Sequence, residues 1–153
     1  MNKSMIVIKQ IDKNLLPATP LADIRMPPEG WIRTIRKALG MTLKQLAKRM
    51  GTGASRVVKI EMTEREDGIT LRTLRAAAEA LDCNLVYAFV PNSGLEQTVR
   101  AKARTLALKQ LQKSSHTMDL EAQSVSSKWL DDQLDDLTTE LLQKSWKHLW
   151  EDQ

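Results

Sequence analysis

The chain has one cysteine, two histidines and no apolar run of transmembrane length among its 153 residues. A single cysteine, Cys83, excludes an internal disulfide framework, and no second cysteine or histidine stands near it at zinc-ligating spacing. As a small residue just after Leu81 it reads as core. His116 and His148 lie far apart in the sequence, no serine or cysteine sits in a nucleophile-elbow context, and no glycine-rich phosphate loop appears. His116 beside Asp119 and Glu121 reads as a solvated loop histidine. No catalytic constellation is expected, and with it no metal and no cofactor. Met5-Ile6-Val7-Ile8 is too short an apolar run for a secretory signal, so the expected location is the cytoplasm.

What the chain does have is charge, unevenly spread. Its formal net charge is +4. Residues 28–61 hold Arg33, Arg36, Lys37, Lys44, Lys48, Arg49, Arg56 and Lys59 against only Glu29 and Glu61, a local balance of +6. Residues 114–153 hold three lysines against nine acids, a balance of −6. A basic block fits phosphate contact, whereas an acidic tail fits shielding, packing or recruitment. The two ends are expected to face different partners.

The basic block carries a specific pattern. Thr42 can cap a helix that buries Leu46, Ala47 and Met50. Gly51 can supply the positive φ at which that helix stops and reverses. A second helix follows, burying Val57 and Ile60 and leaving Ser55, Arg56 and Lys59 outward. Two short helices around a tight turn push the N-terminal half of the second helix into a DNA major groove. In sequence this is Thr42-x-x-x-Leu46-Ala47-x-x-x-Gly51, then Val57-x-x-Ile60-Glu61, then Thr70-Leu71-x-x-Leu74.

Over roughly Gly30 to Leu81 these positions resemble the phage-repressor, Xre/Cro-like helix-turn-helix family. A wider set of residues resembles the mobile mystery protein A family: Pro27-Pro28-x-Gly30-Trp31-Ile32-Arg33-x-Ile35-Arg36, Ala80 to Pro91, and Ser115-His116-Thr117-Met118. That family comprises repressor-like proteins encoded on mobile elements beside a Fic-domain protein. The resemblance implies an autoregulatory, antitoxin-like repressor that binds a palindromic operator as a homodimer, with a Fic-domain protein as partner. It further implies that Ala54, Ser55, Arg56 and Lys59 read bases. Lys59 and Arg56 suit guanine, Ser55 several bases or a phosphate, and Ala54 (with Val58) a thymine methyl. Leu43 stands where relatives carry a phosphate-binding glutamine, so Thr42, Lys44 and Lys48 are expected at phosphates instead. Gly53 replaces the usual serine cap of the recognition helix. The following loop, usually basic, reads Glu64, Glu66 and Asp67 around Arg65, which removes a phosphate clamp. Arg36 and Glu61 occupy positions of a buried ion pair. The inhibitory (Ser/Thr)-x-x-x-Glu-(Gly/Asn) motif that restrains many Fic enzymes is absent, since Glu29-Gly30 is preceded by Arg25.

The remaining segments complete a mainly α expectation: a five-helix, repressor-like core with one short β-strand and a C-terminal helical extension. The layout is 1–29 as an N-terminal segment with a Pro-rich linker, 30–91 as the DNA-binding domain, and 92–153 as the extension. Residues 5–16 suit a strand at Met5–Ile8 or a helix with Ile8, Ile11 and Leu15 on one face, and the helix is preferred. Residues 17–30, with Pro17, Pro20, Pro27 and Pro28, read as extended. Helices are expected near 30–39, 42–50, 54–62 and 70–81. Asn84 to Val90 reads as a buried strand, pairing either with Met5–Ile8 or with its copy in a second subunit. From Gly94 a basic helix carries Leu95, Val99, Ala103 and Leu106 to about Lys113, and 114–127 reads as polar loop. Leu130, Leu134, Leu137 and Leu141 then form an amphipathic stripe, which Trp146, Leu149 and Trp150 extend. Trp129, Trp146 and Trp150 are candidates for partner binding, because tryptophan is enriched at interface centres. The competing function is a protein that binds no DNA and acts through its C-terminal helices alone.

Overall fold

The computed structural model describes residues 3–118 and 127–151, without the side chains of 115–118 and Ser127. Seven α-helices are described: α1 Lys3–Leu15, α2 Trp31–Ala38, α3 Leu43–Arg49, α4 Ala54–Arg65, α5 Leu71–Ala80, α6 Leu95–Met118 and α7 Ser127–Gln143. Two 3-10 helices, Leu16–Asp23 and Trp146–Trp150, accompany them. Among the described residues no helix is long and apolar enough to cross a membrane.

The chain divides into two compact units, Pro20–Ala88 and the combination of Met1–Thr19 with Phe89–Gln153. In the first unit, Ile32, Leu46, Ala47, Val57, Ile60, Ala77, Ala80 and Leu81 form the core. Burying these side chains from α2, α3, α4 and α5 is the main force holding four short helices that would be marginal alone. Cys83 packs against this core, and its thiol donates to the Leu81 carbonyl at 3.4 Å. Leu71, which opens α5, is 44% exposed.

In the second unit, α1, α7 and the 3-10 turn Trp146–Trp150 pack against α6. Met5, Val99, Ala103, Ala107, Leu134, Leu141, Leu142 and Leu149 form its core. Asp12 of α1 accepts the N–H groups of Leu95 and Glu96 at 2.7 and 2.9 Å, capping α6 after Gly94 turns at φ +84°. These contacts correct the expected layout. Residues 1–29 are not one segment, because burial of Met5 and the Asp12 cap join α1 to the C-terminal helices. The expected linker also differs, forming a 3-10 helix with Pro20 inside it.

Two further expectations change. α6 runs to Met118, beyond the helix end expected near Lys113; Asp119 and Glu121 lie outside the described residues. Residues 84–90, expected as a buried strand, form neither strand nor helix, and Val86, Tyr87 and Phe89 are 69%, 61% and 84% exposed. There is no strand among the described residues, and Met5–Ile8, one of the two candidate partners, is helical. A strand needs a neighbouring edge for its peptide groups, and the described residues supply none.

Candidate nucleic-acid interface

The interface is built by α3 and α4 and the turn between them. Thr42 caps α3 through a reciprocal capping box: its hydroxyl oxygen accepts the Gln45 N–H at 3.2 Å, while its own N–H donates to Gln45 Oε1 at 2.7 Å. The Thr42 hydroxyl proton is left available for a phosphate oxygen. At the other end, Thr52 N–H donates back to the Ala47 carbonyl at 2.9 Å and Gly51 N–H to Lys48 at 3.2 Å. Gly51 sits at φ +64°, the left-handed conformation that lets the chain reverse in so few residues.

α4 is anchored from beneath by two acids. Glu61, 7% exposed, receives a two-pronged ion pair from Arg36 of α2, itself 9% exposed: Nε to Oε1 at 2.6 Å and Nη2 to Oε2 at 3.1 Å. Arg36 Nη1 also donates to the Met41 carbonyl at 3.1 Å, tying in the turn before α3. The hydrogen-bonded Glu61 carboxylate raises the Arg36 pKa above its ordinary value, against the opposing effect of burial. Glu64, 4% exposed, accepts the N–H groups of Trp31 and Ile32, each at 3.0 Å, and so caps α2. Glu64 therefore does not belong to the acidic loop expected after α4. It lies in the last turn of α4 and faces inward, leaving Glu66 and Asp67 as the exposed acids beyond the helix. The signal was present: Val57, Ile60, Glu61 and Glu64 recur at helical spacing and extend the inner face by one turn. The Gln45 half of the capping box was equally readable in Thr42-x-x-Gln45.

With the inner face held, the outer face of α4 is determined. Ser55, Arg56 and Lys59 are exposed and Ala54 is half-buried; Val58 and Met62 are 45% and 46% exposed beside them. No side chain caps α4, since Gly53 at its N-cap has none to offer. Thr42, Lys44 and Lys48 are exposed on α3 and at its cap.

The charges around this face are sorted by the fold. Of the eight basic residues in 28–61, Arg36 is neutralised by Glu61. Lys37 and Arg33 share Glu29, at 2.8 and 3.4 Å. The Lys37 ammonium hydrogen-bonded to it holds the Glu29 carboxyl below its ordinary pKa. Among the described residues, the other five (Lys44, Lys48, Arg49, Arg56 and Lys59) have no acid within ion-pair distance. All five lie on α3 and α4, so the unneutralised charge coincides with the two helices of the glycine turn.

The tryptophans separate. Trp146 is half-buried, packs against the core of its unit, and its indole N–H donates to the Leu142 carbonyl at 3.0 Å. Trp129 and Trp150 are 49% and 53% exposed, and the Lys102 ammonium stands 5.8 Å from the Trp150 ring centre.

A short helix, a glycine turn and a second helix that presents polar and basic side chains outward define a helix-turn-helix. Residues 32–87 match the Helix-turn-helix family, as a domain of the Xre/Cro-like type. No curated protein and no solved structure matches the chain.

Proposed function

We propose that this protein is a sequence-specific transcriptional repressor that inserts the N-terminal half of α4 into the major groove of a palindromic operator. The observation that carries this reading is the coincidence of geometry and charge. Ser55, Arg56 and Lys59 stand outward on a helix fixed from below by Glu61 and Glu64, and the neighbouring cations lack acidic partners. Arg56 and Lys59 read base edges, Ser55 a base or phosphate, and Ala54 a thymine methyl. Thr42, Lys44 and Lys48 hold the phosphates on either side and set the register of the helix in the groove. The protein acts as a homodimer in the cytoplasm, without catalysis.

The resemblance of Pro27–Arg36 and Ala80–Pro91 to the mobile mystery protein A family supports a narrower reading. In it the repressor controls its own operon, which also encodes a Fic-domain protein, and the acidic C-terminal region receives that partner. Footprinting on the DNA upstream of the gene tests the repressor reading, and co-purification with the product of the adjacent gene tests the partner. Binding to upstream DNA no tighter than to random DNA at physiological salt overturns the repressor reading and favours a protein acting through its C-terminal helices.

A further inference from the structure

The Pro20–Ala88 unit carries an apolar groove of about 720 Å³, and one wall of it is the irregular segment Asn84–Ala88. Trp31, Ile35, Ile69 and Leu74 are among the side chains that line it. None of the residues assigned to DNA does. Among the described residues the peptide groups of 84–88 make no main-chain hydrogen bond, and the Val86 and Tyr87 side chains are 69% and 61% exposed. A segment of this composition, apolar and rich in β-forming residues, ordinarily pairs its backbone or guards its edge with lysine or proline. Here residues 83–90 contain no charge and no proline.

We propose that this face is the dimer interface: residues 84–88 of two copies pair antiparallel about Val86, and each copy's Tyr87 and groove walls close over the other. This deepens the dimeric part of the reading above by naming the surface. Three features select a second copy over a different protein. An extended segment with unmet donors and acceptors on both sides is complementary to itself across a two-fold axis. The segment is uncharged, so two copies do not repel, and the only ionisable side chains around the groove besides Tyr87 and Cys83 are Glu64, already engaged as a cap, and Asp67. The groove thus offers little charge complementarity to a strongly acidic or basic partner. The area also suffices. At the exposures of Val86, Tyr87, Trp31, Ile24 and Met26 (69%, 61%, 41%, 57% and 42%), the patch offers on the order of 600 Å² per copy, about 1,200 Å² for the pair, at the lower end of specific interfaces. Such a dimer is modest by itself, and simultaneous occupation of two operator half-sites reinforces it.

The test uses the full-length protein. Sedimentation velocity is run from about 1 to 100 µM, a range suited to a small interface, on the wild type and on Val86→Lys, which places like charges opposite each other. Val86→Cys in a Cys83→Ser background is oxidised beside a Leu39→Cys control, Leu39 being exposed and outside the groove. The expected result is a wild-type dimer, a Val86→Lys monomer with unchanged circular dichroism and melting, and a disulfide-linked dimer from Val86→Cys but not from the control. A wild-type dimer that survives Val86→Lys and does not crosslink at position 86 overturns the surface and leaves dimerisation intact. A wild type that stays monomeric throughout this range overturns both the surface and the homodimer, and assigns the groove to another occupant. DNA recognition is judged separately: Val86→Lys keeps single half-site contacts and loses cooperative binding to the palindrome.

Discussion

The carboxylate of Glu64 lies so close to Gly30 that a Cβ on that glycine would stand 2.7 Å from Glu64 Oε2. The glycine turns at φ +80° and ψ 161°, a region essentially reserved for glycine, and this hands the N–H groups of Trp31 and Ile32 to the carboxylate. One absent methyl group thus lets the last turn of the recognition helix cap α2. Together with Arg36–Glu61, it makes the tilt of α4 depend on α2.

Gly30→Ala should therefore destabilise the helix-turn-helix unit by about 2–4 kcal/mol, combining backbone strain with displacement of a buried cap. Gly40→Ala is the control. Gly40 also has positive φ, +65°, but a Cβ there meets nothing within 4 Å, so the cost should be about 1 kcal/mol. Urea denaturation of both variants measures the difference, and equal losses would mean that Glu64 does not crowd Gly30.

Glu61→Ala leaves the Arg36 guanidinium buried without its partner and should cost about 3–5 kcal/mol. Replacing both residues, as Arg36→Met with Glu61→Leu, removes the stranded charge along with the pair. The double variant should be markedly more stable than Glu61→Ala, and a thermodynamic cycle with the single changes reads the coupling. A loss for Glu61→Ala below roughly half a kcal/mol, as for an exposed pair, would contradict the burial of both groups.

On DNA, Lys59→Ala and Arg56→Ala should each weaken binding to the upstream operator without altering the fold, since both side chains are exposed and lack acidic partners. Whichever residue contacts a base should lose about 1–3 kcal/mol of discrimination at one position. Lys44→Ala and Lys48→Ala should instead weaken all sequences alike and lower the salt slope by roughly one counterion each. Binding titrations on operator and scrambled DNA at several salt concentrations separate the two behaviours.

Truncation offers a fourth expectation. Cutting after residue 93 removes α6 and α7 but keeps α1, stranding Met5 and the Asp12 cap without the helices they serve. The fragment 20–91 omits α1 as well and retains the whole core around Leu46 and Val57. It should melt cooperatively and keep operator recognition, whereas fragment 1–93 should aggregate more readily through its exposed α1. Calorimetry and gel-shift assays on the two fragments check this, and loss of DNA binding by 20–91 would tie recognition to the second unit.

The pattern from Thr42 to Glu61 was legible because its determinants are local. Capping by Thr42, reversal at Gly51 and the three-residue spacing of Val57 and Ile60 act within one or two helical turns, and the structure repeats them. Leu134 and Leu141 are buried as expected for the same reason. Leu130, on the same stripe, is 44% exposed, since helical periodicity names a face and not what covers it.

The sequence by itself determined the helices of the helix-turn-helix unit, where the recognition helix begins, and where positive charge accumulates, because helix propensity, capping and composition are short-range properties. Only the tertiary structure decided which acids are spent inside the fold. Glu64 caps a helix 33 positions upstream of it, and Asp12 caps one that begins 83 positions downstream. It also decided that α1 joins the C-terminal helices, that Trp146 packs against their core, and that residues 84–90 find no strand partner among the described residues. These outcomes depend on which distant groups meet, and a buried polar or apolar group takes whatever partner the packed chain brings to it.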